Sequence, residues 1–111
     1  MKIFIYANGL ELSGEQRLWL HAELTAALGN FGRSISRVNA YIQDNNGDKG
    51  GVDKAFRLVV HIRRQPSVVI EDRDSSLQSL VARLLERAEH LLQRKFTRRR
   101  SRSGAVSMSG E

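Results

Sequence analysis

Phe56-Arg57-Leu58-Val59-Val60-His61-Ile62-Arg63 is the stretch on which the reading of this chain turns. Phe56, Leu58, Val60 and Ile62 alternate with Arg57, Val59, His61 and Arg63, and successive side chains of a strand point to opposite faces. One face is therefore apolar and the other largely polar. A sheet built on such a strand needs a second layer over its apolar side.

Working outward, the neighbouring segments supply the sheet. Ile35 to Asp44 sets Val38, Ala40 and Ile42 against Arg37, Asn39, Tyr41 and Gln43, a second half-buried strand. The polar segment Asp44 to Asp53 joins it to the first. Near the start, Lys2-Ile3-Phe4-Ile5-Tyr6-Ala7 is rich in β-formers and is broken by Asn8-Gly9. Downstream, Gln65-Pro66 marks a tight turn, because proline supplies the fixed φ of a turn position, and Ser67 to Glu71 follows as a fourth strand.

Two helices supply the cover. Ser13 and Gln16 have capping-box spacing, and Leu20, Leu24, Ala27, Leu28 and Phe31 recur on one helical face before Gly29-Asn30 and Gly32 end it. Asp74 or Ser75 is the expected cap of the second helix, whose apolar face is Leu77, Leu80, Val81, Leu84, Ala88, Leu91 and Leu92. The order β-α-β-β-β-α implies an α+β, two-layer domain, a four-stranded sheet with both helices on one face and the other face open. This domain is expected to occupy residues 1–96. Residues 97–111 read as a basic tail, disordered at least from Ser101, where Ser, Gly and lone charges leave nothing to bury.

The net charge of +6 over 111 residues is unevenly placed. Residues 1–93 hold twelve Lys/Arg against eleven Asp/Glu, whereas Arg94, Lys95, Arg98, Arg99, Arg100 and Arg102 follow with no acid among them. Concentrated cations capture polyanions, so nucleic acid or an anionic membrane is the natural partner; a solubilising tail is the alternative. No apolar run approaches the ~18 residues of a membrane span and no charged-then-apolar leader opens the chain, so no membrane association and a cytoplasmic location are expected. The absence of cysteine removes disulfide and thiolate chemistry.

On the second helix Arg83, Arg87, His90, Arg94 and Arg98 recur at steps of four and three, forming one stripe on the side away from the apolar face and leading into Arg98-Arg99-Arg100. Cations in a row suit phosphates along a strand. The competing reading is a solvated face whose cations favour the C-terminal dipole, with Glu86-Arg87-Glu89 as partial self-neutralisation. Arg57, His61 and Arg63, with Arg37 and Tyr41, would decorate the open sheet face, as a nucleic-acid platform or simply as a polar outer face.

Enzymatic chemistry finds no footing. His21, His61 and His90 fall on different elements with no carboxylate at ligand spacing, so no metal is expected. Asp44-Asn45-Asn46-Gly47-Asp48 suggests a calcium loop, yet Lys49 and Ala55 stand where the sixth-place Gly and twelfth-place Glu belong. Asp72 and Asp74 fit helix capping, and no nucleophile, base and oxyanion site assemble. Neither a cofactor nor a small-molecule substrate is implied.

Several motifs in order resemble the ribosome hibernation-promoting and ribosome-associated inhibitor family, in its short form, over roughly residues 2–100. They are Asn8-Gly9-Leu10-Glu11-Leu12-Ser13 entering the first helix, Phe31 followed by Ile35-Ser36-Arg37-Val38, the loop Asp44 to Gly51, and the basic second helix. The resemblance implies a fold related to double-stranded-RNA-binding domains. It also implies binding to the small ribosomal subunit where messenger and the A- and P-site transfer RNAs lie, which silences ribosomes under stress. Off the ribosome the protein would be monomeric. Arg17 matches a basic position of the family's first helix, and Arg87, His90, Arg94 and Lys95 match its basic second helix. Glu23 and Ala26 stand where lysines are frequent, and Leu91 replaces a frequent Gln, so the first-helix contact surface differs. The alternative function is generic RNA binding or RNA chaperoning through the Arg-rich tail.

Overall fold

Alternating apolar residues set the sheet. In the computed structural model, which describes residues 1–44 and 53–104 with side chains through Thr97, the strands are β1 (Lys2–Asn8), β2 (Ile35–Asp44), β3 (Lys54–Ile62) and β4 (Val68–Asp74). The helices are α1 (Gly14–Leu28) and α2 (Leu77–Gly104), and a short 3-10 turn at Gly29–Phe31 follows α1. The strands lie in the order β1-β2-β3-β4. β1 and β2 run parallel, joined by the α1 crossover that parallel neighbours require, and the other two pairings are antiparallel. This is the expected β-α-β-β-β-α, α+β arrangement.

The core lies between the sheet and the two helices. Val38, Ala40, Ile42, Phe56, Leu58 and Val60 face Leu20, Leu24 and Leu28 of α1 and Leu80, Leu84, Ala88 and Leu92 of α2, all of them buried. Full burial of a Leu or Phe is worth roughly 1.5–3 kcal/mol, so this interface is the main source of stability. Leu85, absent from the expected face, is buried too. It stands four residues after Val81 and three before Ala88, so it widens the same stripe.

Local chemistry sets the ends of the elements. Ser13 and Gln16 form the expected capping box: the Ser13 hydroxyl accepts from the Gln16 N–H at 3.1 Å, and the Gln16 amide oxygen accepts from the Ser13 N–H at 2.9 Å. The cap of α2 is neither Asp74 nor Ser75 but Ser76, whose hydroxyl accepts from the Ser79 N–H at 3.3 Å and whose carbonyl accepts from the Leu80 N–H at 3.0 Å. Asp74 instead turns its carboxylate to the N–H groups of Ser75 and Ser76. The β3–β4 turn also falls earlier than Gln65-Pro66. The Gln65 N–H closes onto the Ile62 carbonyl at 3.3 Å, with Arg64 at a positive φ of 63°.

Two boundaries move outward. β4 continues past Glu71 to Asp74, although Asp-Arg-Asp is poor strand sequence, because α2 supplies cations to its inward acids. The backbone of α2 stays helical to Gly104, past the 96/97 boundary, and Phe96 stacks on Phe31 with ring centroids 5.6 Å apart. Residues 105–111 of the expected tail, and the loop from 45 to 52, lie outside the described residues. At the ends of that loop Lys54 sits 3.8 Å from Asp44 and 3.6 Å from Asp53.

Candidate nucleic-acid interface

The long second helix carries the first cation surface. Arg83 opens the stripe, and it is fully engaged: Nε donates to the Asp72 carboxylate at 2.7 Å, and the two terminal nitrogens donate to Asp74 at 3.0 Å and to the Arg73 carbonyl at 2.9 Å. The Arg83 hydrogen bond, aided by the Arg73 N–H, holds the Asp72 carboxyl below the usual carboxylate range. Asp74 is lowered first by the Ser76 N–H and then by Arg83, and Arg83 itself is raised by the two carboxylates. The stripe is therefore not a solvated row along its whole length: its first member is a clasp between α2 and β4.

Arg87 shares this clasp more loosely, donating to the Glu71 carbonyl at 3.2 Å and to Asp72 at 3.4 Å. Beyond it, among the described residues, no ion pair engages His90, Arg94 or Lys95, although Glu86 and Glu89 lie on the same helix. Arg87, His90 and Arg94, with Ile70, Leu91 and Gln93, line an open hollow of about 510 Å³, and Lys95 follows half-buried. Two guanidiniums and an imidazole at the rim of an apolar floor suit a phosphate with its sugar, because Arg can grip phosphate oxygens in pairs while the stems stay packed. Arg98, Arg99 and Arg100 continue along the helical backbone beyond Thr97.

Arg17 is not part of this cluster. Its guanidinium donates to the Ile5 carbonyl of β1 at 3.4 Å, at the opposite sheet edge from β4. Three strand spacings, roughly 14 Å, separate those edges. Arg63 is also displaced from its expected position on the open face. It leaves β3 at the turn and donates to the Arg33 carbonyl at 3.1 Å, tying that turn to the one that leads into β2.

The second surface is the open sheet face, and register sets its rows. Lys2, Arg37 and His61 are lateral neighbours, as are Phe4, Asn39, Val59 and Val69, and then Tyr6, Tyr41, Arg57 and Glu71. Arg37 approaches the His61 ring at 3.3 Å, and Ser67 meets its other nitrogen at 2.9 Å. Tyr6 and Tyr41 stack at 5.1 Å with 14° between planes, and the Arg57 guanidinium lies 5.7 Å from the Tyr41 ring centre. Sequence reasoning placed Arg37, Tyr41 and Arg57 here but missed Phe4 and Tyr6. In an almost wholly apolar strand the faces cannot be told apart by polarity; the usable signal was the strict alternation of small or aliphatic Ile3, Ile5 and Ala7 with Phe4 and Tyr6.

Among the described residues no three His, Asp or Glu side chains gather as metal ligands, and no helix is long and apolar enough to cross a membrane.

No protein-family model and no curated protein matches the sequence. Solved structures do match in fold. A ribosomal subunit interface protein from Coxiella burnetii superposes with a TM-score of 0.74 at 15% identity, covering 87% of this chain and 99% of that one. The N-terminal domain of Protein Y from Thermus thermophilus superposes with a TM-score of 0.65 at 16% identity, covering 85% and 98% respectively. At such identities the likeness is one of fold, reached through a common order of elements. The fold that the sequence motifs led us to expect is thus the fold this chain has, that of the ribosomal subunit interface protein and the Protein Y domain.

Proposed function

We propose that this protein binds the small ribosomal subunit, in the channel occupied by messenger and by the A- and P-site transfer RNAs, and keeps ribosomes inactive under stress. The observation that carries the reading is the cation cluster of Arg87, His90, Arg94 and Lys95 on a helix of this fold, in which, among the described residues, Arg87 alone pairs with an acid, Asp72 at 3.4 Å. Occupying that channel requires only steric exclusion strengthened by phosphate contacts, with no catalytic step. The working location is then the cytoplasm, and the chain acts as a monomer off the ribosome. Arg98, Arg99 and Arg100 extend the cation row on α2, while Arg17, Arg37, Arg57 and Arg63 offer contacts elsewhere on the domain.

The test is inhibition of cell-free translation together with binding to purified small subunits. Arg87→Glu/Arg94→Glu should relieve inhibition and flatten the salt dependence of binding, each lost phosphate contact removing about 0.7–0.9 of a unit of log–log slope. Inhibition unchanged in this variant would refute the assignment. A chain ending at Thr97 keeps the Phe96–Phe31 stack and discriminates RNA chaperoning through the tail, which predicts loss of all RNA binding, from ribosome binding, which predicts retained affinity for the subunit.

A further inference from the structure

The open sheet face carries an organised stack that neither the fold nor the α2 cluster requires. Arg57, Tyr41 and Tyr6 follow one another across β3, β2 and β1, guanidinium to ring to ring. The stack ends at Tyr6, on the edge strand, where nothing of the sheet lies beyond it. Tyr6 is 49% exposed, and Phe4, two residues along the same strand and roughly 6.6 Å away, is 41% exposed. Tyr41 is 38% exposed despite its two neighbours. Exposed aromatics on a face that no helix covers carry a hydration cost that a planar ligand would remove.

The chemistry around the rings indicates the ligand. Lys2, Arg37, Arg57 and Arg73 are the cations on this face, and Glu71, 3.7 Å from Arg57, is the acid among the described residues there. A hollow of about 650 Å³ beside Tyr6 and Tyr41 is bordered by Asn8, Gln43, Arg57 and Arg73, with Glu71 and the Arg83-clasped Asp72 also at its rim, so amide donors and acceptors stand next to the stacking surface. Rings, amides and an excess of cations on a flat, uncovered sheet match unpaired bases joined by phosphates. A duplex keeps its base faces internal and offers nothing to the rings. A second copy of this chain placed face to face would bring cations against cations.

We propose that the open face of the sheet is a binding site for single-stranded RNA, with one base continuing the Arg57–Tyr41–Tyr6 stack, a second on Phe4, and the intervening phosphates paired with Lys2, Arg37 and Arg57. The site lies on the opposite face of the sheet from the helices. It adds to the ribosome reading without depending on it, because a short oligonucleotide binds here or fails to bind whether or not subunits are present.

A labelled single-stranded uridine hexanucleotide, titrated into the full chain at low salt, tests the proposal. Tyr6→Ala/Tyr41→Ala should weaken binding by about tenfold or more, whereas Tyr6→Phe/Tyr41→Phe, which keeps both ring faces, should stay within about twofold. Equal affinity for the Ala variant and the wild type overturns the site. Ultraviolet cross-linking of the same RNA to the unmodified protein gives a reading that no folding defect can confuse. Adducts on the peptides carrying Phe4, Tyr6 or Tyr41 are expected, and adducts confined to α2 would overturn the proposal, as would a dimer that buries these rings and excludes the RNA.

Discussion

Gly9 sits at φ +82° where the chain leaves β1, and a Cβ built there would press against the Asp44 carbonyl at the end of β2. Only glycine meets both demands, the left-handed backbone and the close approach. Gly9→Ala is expected to lower stability by at least about 1–2 kcal/mol from the backbone term alone, measurable by urea unfolding. A second residue-scale consequence concerns Arg83. Asp72 and Asp74 have folded pKa values below their ordinary ones, so their contribution to stability is complete above the unfolded value of about 3.9 and is lost as pH falls through the lowered folded values. Arg83→Met should therefore melt lower than wild type at neutral pH, and the gap should close on acidification below about pH 4. A gap independent of pH would mean that Arg83 acts through packing and not through the two carboxylates.

Among the elements, legibility followed the contrast between faces. β2 and β3 are plain because polar and apolar residues alternate, with Val59 as an apolar member of the outer face of β3, and α1 because Ser13, Gln16 and the leucines agree on one start and one face. β4 was read short, since Asp72-Arg73-Asp74 resembles a helix start until Arg83 and Arg87 are seen above it. The cap of α2 was misplaced for the same reason: Asp74, Ser75 and Ser76 are all capping residues, and choosing among them needs the direction in which α2 leaves the sheet. Ser76→Ala should cost about 1 kcal/mol in thermal unfolding, and Ser75→Ala much less, because the Ser76 hydroxyl is the one that meets the Ser79 N–H. The α2 stripe was legible as a spacing but not as a charge distribution. Its division into an engaged Arg83, a loosely held Arg87 and a His90–Arg94 pair without an acid partner among the described residues depends on acids from a strand that sequence spacing cannot bring alongside.

For the whole molecule, the two layers present two chemically different surfaces. The helical side offers cations above an apolar hollow, suited to the phosphates of a folded RNA; the sheet side offers rings and amides, suited to unpaired bases. Arg17 and Arg63, which sequence reasoning grouped with the binding residues, are tied to backbone carbonyls at the β1 edge and at the β3–β4 turn. Binding carried by phosphates falls steeply with salt, so any ribosome complex should be firm at low ionic strength and dissociate as salt rises. The central claim, that this fold with its basic α2 serves the ribosome, is tested most directly by sedimenting the purified protein with separated ribosomal subunits through a low-salt sucrose gradient. The account predicts that it travels with the small subunit and is released by Arg87→Glu/Arg94→Glu; a wild-type protein that stays at the top of the gradient would contradict it.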